Sequence, residues 1–193
     1  MAFFARGPDP GPFSDYRQYK PSLRTTFRYQ CAYCGITEGY RRGTDVFGAD
    51  HYRPRHLFPQ LVCEWANLYY CCLGCNSRKG TRWPDDRLRA KGFEFIDPCK
   101  RDPQDGDWRE NAEGHLIAES PAGEYSIQVA GLNREECIRF RQRRAATAAR
   151  LSRCRALINS LTGDKRIAEL ARNALRDAEA LWEECYGELP FLR

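Results

Sequence analysis

"CCLGCNSRKG", residues 71–80, sets three cysteines within five positions directly ahead of an asparagine and a basic pair. A second motif, Cys31-Ala-Tyr-Cys34, lies upstream, with 37 residues between Cys34 and Cys72. Two residues between cysteines let both thiolates face one tetrahedral metal ion. Two such pairs in one chain therefore read as a closed four-thiolate zinc site made of Cys31, Cys34, Cys72 and Cys75. Four thiolates leave no open coordination position, so the zinc is expected to be structural. Cys71 is an alternative ligand through a Cys71-x3-Cys75 pairing. Cys72 is preferred because its spacing repeats that of the first pair. Cys71, then, like Cys63, Cys99, Cys137, Cys154 and Cys185, reads as a small buried hydrophobe.

The chain of 193 residues suits one domain, or one small domain with an appended helical part. Its net charge is +5, unevenly spread. Residues 1–100 hold 16 Lys/Arg against 10 Asp/Glu, a net of +6, and residues 101–193 hold 15 against 16, a net of −1. A basic front half suits a polyanionic partner, with solubility as the plain alternative. The opening MAFFARGPDP is too short and breaks on proline too early to be a secretory signal. No window of about 18 apolar residues exists, so no membrane span is expected. Ten cysteines without a signal read as metal ligands before disulfides, and a cytoplasmic location is expected.

Along the chain, residues 1–27 form an amino-terminal arm rich in Pro, Gly and aromatics, with a short helix expected to run from Pro21 toward the first cysteine pair. Residues 28–100 carry the densest chemistry. Residues 101–132 are a mixed connecting region, and short strands are expected at 93–96, 115–118 and 124–130. Residues 133–193 are helical. Asn133 and Glu136 suggest a capping box ahead of a helix to about Leu161, with eight arginines between Asn133 and Arg155. Thr162-Gly163-Asp164 breaks it. A second helix over about 164–186 sets Ile167, Leu170, Ala174, Leu181 and Cys185 on one face, and the two helices should form a hairpin.

Between the cysteine pairs lie Gly48-Ala-Asp50-His51-Tyr52-Arg53-Pro54, then Asn67 sixteen residues after His51, then Asn76 nine residues later. CAYCG, DHYRP and NLYYCCLGCNSRKG, in that order, resemble the HNH endonuclease family in its HNN form. The likeness covers residues 28–80. It implies an α+β fold: a zinc-stapled ββα-metal nuclease core, here with an appended carboxy-terminal α-helical hairpin. In that family the first histidine ends a strand, the middle asparagine lies in the following loop, and the last residue sits on a short helix.

The resemblance implies a metal-dependent DNA endonuclease. His51 would be the general base, taking a proton from water. Asp50 and Asn76 would offer the sparse oxygen site that Mg²⁺ or Mn²⁺ prefers. Adjacent residues on a strand point to opposite faces, so a local bend is needed to bring Asp50 and His51 to one ion. Asn67 would tie its loop to the backbone near His51, with a plain turn role as the alternative. Arg53, Arg55, Arg78 and Lys79 flank the site and would hold phosphates, a solvated surface being the alternative. His56 is an alternative second ligand or base that nothing in its spacing requires, and His115, in a remote segment, reads as structural. The segments FPQLVCEWANLYYCC, Trp83-Pro84, Phe95-Ile96-Asp97-Pro98 and Gly131-Leu132-Asn133 are more loosely similar to HNH proteins that stand beside ATPases in bacterial anti-phage systems, including Septu-like ones. That likeness implies an ATPase partner subunit and a defence role, with DNA as substrate and no small-molecule substrate. The competing reading is a non-catalytic zinc module that binds nucleic acid or a protein.

Overall fold

The computed structural model describes residues 2–161 and 165–186. Its first long-range pairing is a two-stranded antiparallel sheet, β1 (Phe47–His51) against β2 (Leu68–Cys72). Asp50 stands opposite Tyr69 and His51 opposite Leu68. β2 is buried at every position and runs straight into α3 (Leu73–Lys79), so strand, strand and helix form one ββα unit. Cys72 has extended backbone angles and serves as the N-cap of α3. The last residue of β2 therefore starts the helix, and the second cysteine pair straddles the junction.

Upstream, α1 (Lys20–Thr26) is shorter than expected. It stops at Phe27, and Arg28 and Tyr29 both take left-handed backbone angles, which turn the chain into the first knuckle. The amino-terminal arm is anchored. Phe4 is fully buried against Phe27, their ring centroids 5.0 Å apart. The Arg6 guanidinium lies 4.3 Å from the Tyr69 ring and donates to the carbonyls of Trp65 and Leu68. A single aromatic core of Tyr19, Phe27, Tyr33, Tyr69 and Phe95 thus joins arm, knuckle and sheet.

The expected strand at 124–130 is a helix, α5 (Pro121–Ala130), and 93–96 is not a strand. The period-two pattern lost to local capping: the Ser120 side chain accepts from the Gly123 amide, Pro121 occupies the first turn, and Gly131 closes the helix in the left-handed region. Gly131 has a second reason to be glycine, since a Cβ there would come within 2.3 Å of the Arg78 side chain. The expected strand at 115–118 is present as β4 (Leu116–Ala118), paired with β3 (Trp108–Glu110). A short helix, α4 (Asp86–Ala90), follows α3.

α6 (Glu135–Asn159) and α7 (Lys165–Tyr186) pack as the expected pair of helices. The break at Thr162-Gly163-Asp164 lies outside the described residues. Asn133 does not cap α6. Its side chain instead clasps both the amide and the carbonyl of Leu116, 2.8 Å each, and Arg134 is the N-cap. The packed face of α7 also differs from the expected one. Ala168 and Trp182 are buried, whereas Ile167, Leu170 and Leu181 are 61–63% exposed. Trp182 packs with Ala148 and Leu151 of α6, one residue round the helix from Leu181. The pair docks on the core through α2 (Glu38–Arg41): Tyr40 meets Phe140 and Tyr186, Arg41 pairs with Glu136, and Thr37 donates to the Cys185 carbonyl. Among the described residues no helix is long and apolar enough to cross a membrane.

Candidate metal centre and candidate active site

Cys31, Cys34, Cys72 and Cys75 bring their Sγ atoms within 4.8 Å of one another. The Cys34 and Cys72 sulfurs are 3.8 Å apart, and a tetrahedral zinc with ligands at about 2.3 Å needs sulfurs about 3.8 Å apart. The donor set and its spacing fit zinc. The first knuckle closes on itself, Gly35 donating to the Cys31 carbonyl, and is laced to β2 by the Ala32 amide on the Tyr70 carbonyl. Burial pushes the Cys31 thiol up, while a hydrogen bond from Cys31 pulls Cys72 down, as expected of thiols that share protons until a dication takes all four. Cys71 lies outside the cluster. Its sulfur is 3.9 Å from Cys31 and bonds the Cys72 carbonyl.

Arg134, the N-cap of α6, reaches the candidate metal centre. Its guanidinium reaches Cys75 at 3.3 Å, Cys72 at 3.4 Å and Cys34 at 3.7 Å. Burial works against its charge, but the neighbouring thiols outweigh burial and hold it protonated. Arg134 carried no signal in the sequence, because its sulfur contacts span 59 to 100 residues.

Along β1 the side chains of Asp50 and His51 turn to different partners, as strand alternation requires. His51 is 9% exposed and packs edge-on against Tyr16, ring centroids 4.6 Å apart. Its Nε2 lies 2.9 Å from the Val62 carbonyl. A carbonyl only accepts, so Nε2 carries the hydrogen and the neutral ring keeps its lone pair on Nδ1. Burial lowers the His51 pKa, which favours that neutral form. The Asn67 amide clamps the following loop. Its oxygen accepts from the Arg53 amide at 2.8 Å, and its nitrogen donates to the carbonyls of Arg53 and Leu61. Asn67 thus ties the loop after His51 to itself and to the chain at Leu61, while the imidazole is held by the Val62 carbonyl and not by Asn67.

Asp50 is buried, and its neighbours are specific. The Tyr33 hydroxyl donates to Oδ2 at 2.6 Å, and the Lys79 ammonium lies 3.0 Å from Oδ2 and 3.3 Å from Oδ1. Burial pushes the Asp50 carboxyl up, against Lys79 and Tyr33, which pull it down. Asn76 is half-buried on α3, one turn before Lys79. Lys79 itself is not at the surface: it is 0% exposed and spent on Asp50 and on the His51 carbonyl. That corrects its expected place among the phosphate contacts. The signal was available, because Cys75 and Lys79 stand four apart on one helix face, the face that is turned inward. Arg53, Arg55 and Arg78 are exposed, with Arg53 lying over the Phe58 ring. His56 and His115 are exposed as well.

Of the eight arginines near the start of the hairpin, several are engaged inside the protein. Arg141 is 3% exposed and donates to the carbonyls of Gly114 and Leu132. Arg144 pairs with Glu110, Arg155 with Glu179 and Arg139 with Glu135. Searches against models of known protein families, against curated proteins and against solved structures return no significant match for this chain.

Proposed function

We propose that the chain is a DNA endonuclease of the HNH kind that hydrolyses phosphodiester bonds with His51 as general base. The observation that carries the reading is the state of His51. It ends the first strand of a ββα unit, its Nε2 is anchored on Val62, and its Nδ1 is left basic. Nδ1 takes a proton from water, and the water oxygen attacks phosphorus as the bond to the departing sugar oxygen breaks. Asn67 keeps the loop after His51 in place, and zinc in the four-cysteine site keeps α3 against the sheet. Arg53, Arg55 and Arg78 supply exposed positive charge for the phosphate backbone.

Mg²⁺ or Mn²⁺, when bound, supplies charge neutralisation at the leaving oxygen. The oxygens of Asp50 and Asn76 are of the right type. As arranged, however, both Asp50 oxygens face Lys79, so the residues do not fit an ion there without rearrangement. No step above depends on one. The looser resemblance extends the proposal to anti-phage defence beside an ATPase partner. The second reading, a non-catalytic zinc module, is favoured by one observation: an Asp50 engaged in a buried ion pair has a purely structural use.

The test is cleavage of supercoiled plasmid by wild type and His51→Ala, with Mg²⁺ or Mn²⁺ and any ATPase partner present. Loss of a general base lowers the rate by about 10²–10⁴-fold. Equal cleavage by both proteins, at equal zinc content, would sink the proposal and leave the module.

A further inference from the structure

A buried ion pair, Lys79 with Asp50, joins β1 to α3. Lys79 closes α3 with none of its surface exposed. A lysine is almost never fully buried unless it is paired. Its ammonium straddles both oxygens of Asp50, at 3.0 and 3.3 Å, and donates to the His51 main-chain carbonyl at 2.6 Å. The Phe95 ring flanks it at 5.8 Å, and Tyr33 holds the same carboxylate at 2.6 Å. Asp50 of β1 and Lys79 of α3 are thus joined directly, and Asn76 stands on the same helix one turn before Lys79.

We infer that Lys79 fills the cation position of Asp50 and positions His51 through its main-chain carbonyl, so that a divalent ion reaches Asp50 only by displacing the Lys79 ammonium. For its meaning in catalysis this rests on the hydrolase reading; the competition itself does not. A dication placed at Asp50 with the ammonium still present would set like charges a few ångströms apart in a poorly screened interior. Moving Lys79 away would free the carboxylate, but it would also strip the donor from the His51 carbonyl. Tethering of His51 and ion binding at Asp50 are therefore alternative states of one lysine. A site that is competent in only a small fraction of molecules binds its ligand more weakly in proportion to that fraction.

The experiment titrates Mn²⁺ into zinc-loaded protein without DNA and reads free Mn²⁺ by electron paramagnetic resonance. Wild type, Lys79→Met, Asp50→Asn and the double variant are compared. Lys79→Met should bind Mn²⁺ at least about tenfold more tightly than wild type, and the gain should vanish in the double variant. No gain in Lys79→Met would overturn the inference. Lys79→Met leaves a buried carboxylate without its counter-ion and is the variant at risk of misfolding. The double variant buries no charge at either position, and it should bind Mn²⁺ as wild type does. A clear loss there would mean that Asp50 already serves the ion in wild type, and the inference would fall. Because cleavage is not measured, either result leaves the role of His51 to the plasmid assay.

Discussion

Replacing Arg134 with glutamine should loosen the zinc without touching a ligand. Four thiolates around a dication leave the centre with a net double negative charge, buried beneath α6. Arg134 is the cation that meets it, with contacts to Cys75, Cys72 and Cys34 between 3.3 and 3.7 Å and a side chain 9% exposed. A charge-assisted hydrogen bond is worth about 1.5–3 kcal/mol net, but here one guanidinium is shared among three sulfurs and has itself been desolvated. One such bond's worth, about 2 kcal/mol, is the reasonable net, equivalent to roughly 30-fold in affinity. It lies within the roughly 10–100-fold range found when groups supporting metal ligands are removed. The assay is zinc competition with a metallochromic chelator at fixed pH, for wild type, Arg134→Gln and Arg134→Lys. Lysine should recover part of the loss, since a point charge cannot fork across three sulfurs. Zinc affinity for Arg134→Gln within about twofold of wild type, with the helices still docked, would refute the electrostatic account, because it lies well below that range.

Three further outcomes are expected. Asn67→Ala strands the Arg53 amide and the Arg53 and Leu61 carbonyls, at roughly 1–3 kcal/mol for a buried group left unpaired; urea unfolding that leaves stability unchanged would contradict the clamp. Burial holds the His51 pKa below its usual 6.5, so the unfolded chain takes up the proton first as pH falls. The His51 contribution is thus present above pH 6.5 and lost below it, and the acidic limb of the cleavage rate should also lie below pH 6.5 and disappear in His51→Ala. In the helical pair, Trp182→Ala should cost about 3–5 kcal/mol, while Leu181→Ala stays within about 0.5 kcal/mol; circular dichroism melts giving the reverse order would mean that the packed face of α7 is misassigned.

What the sequence disclosed was local in origin. CxxC spacing confines two thiols to one tight turn, so the clustered cysteines are legible in the sequence, with Cys72 only preferred to Cys71 until the fold places the Cys72 sulfur in the cluster. The long helices α6 and α7 were legible for the same reason. What remained hidden was decided by partners far along the chain. Lys79 reads as part of a solvated Arg-Lys-Gly helix end until Asp50, 29 residues away, claims its charge. Asn133 reads as a helix cap until β4 offers it an amide and a carbonyl. α7 carries apolar residues on two neighbouring stripes, and periodicity weighed Leu181 and Ile167 above the stripe with the single large Trp182, which α6 in fact covers. The α5 segment hides for another reason: its alternation points to a strand, whereas the Ser-Pro start and glycine stop that bracket it decide for a helix.

The short helix α3 brings these threads to one mechanical point. Seven residues are too few to hold a helix in water, where about 12–15 are needed for even marginal stability. α3 must therefore be held from outside, and it is held at both ends. At its start Cys72 and Cys75 belong to the thiolate cluster, which Arg134 ties in turn to the helical pair. At its end Lys79 is fastened to Asp50 and to the His51 carbonyl of β1. Asn76 sits between the two pins, and its position relative to His51 is set by both. An ion held by the four cysteines and the carboxy-terminal helices would thus bear on the first pin, and a cation that competes for Asp50 would bear on the second. A change at either end is transmitted to Asn76 through less than two turns of helix, without any residue of the candidate active site being replaced.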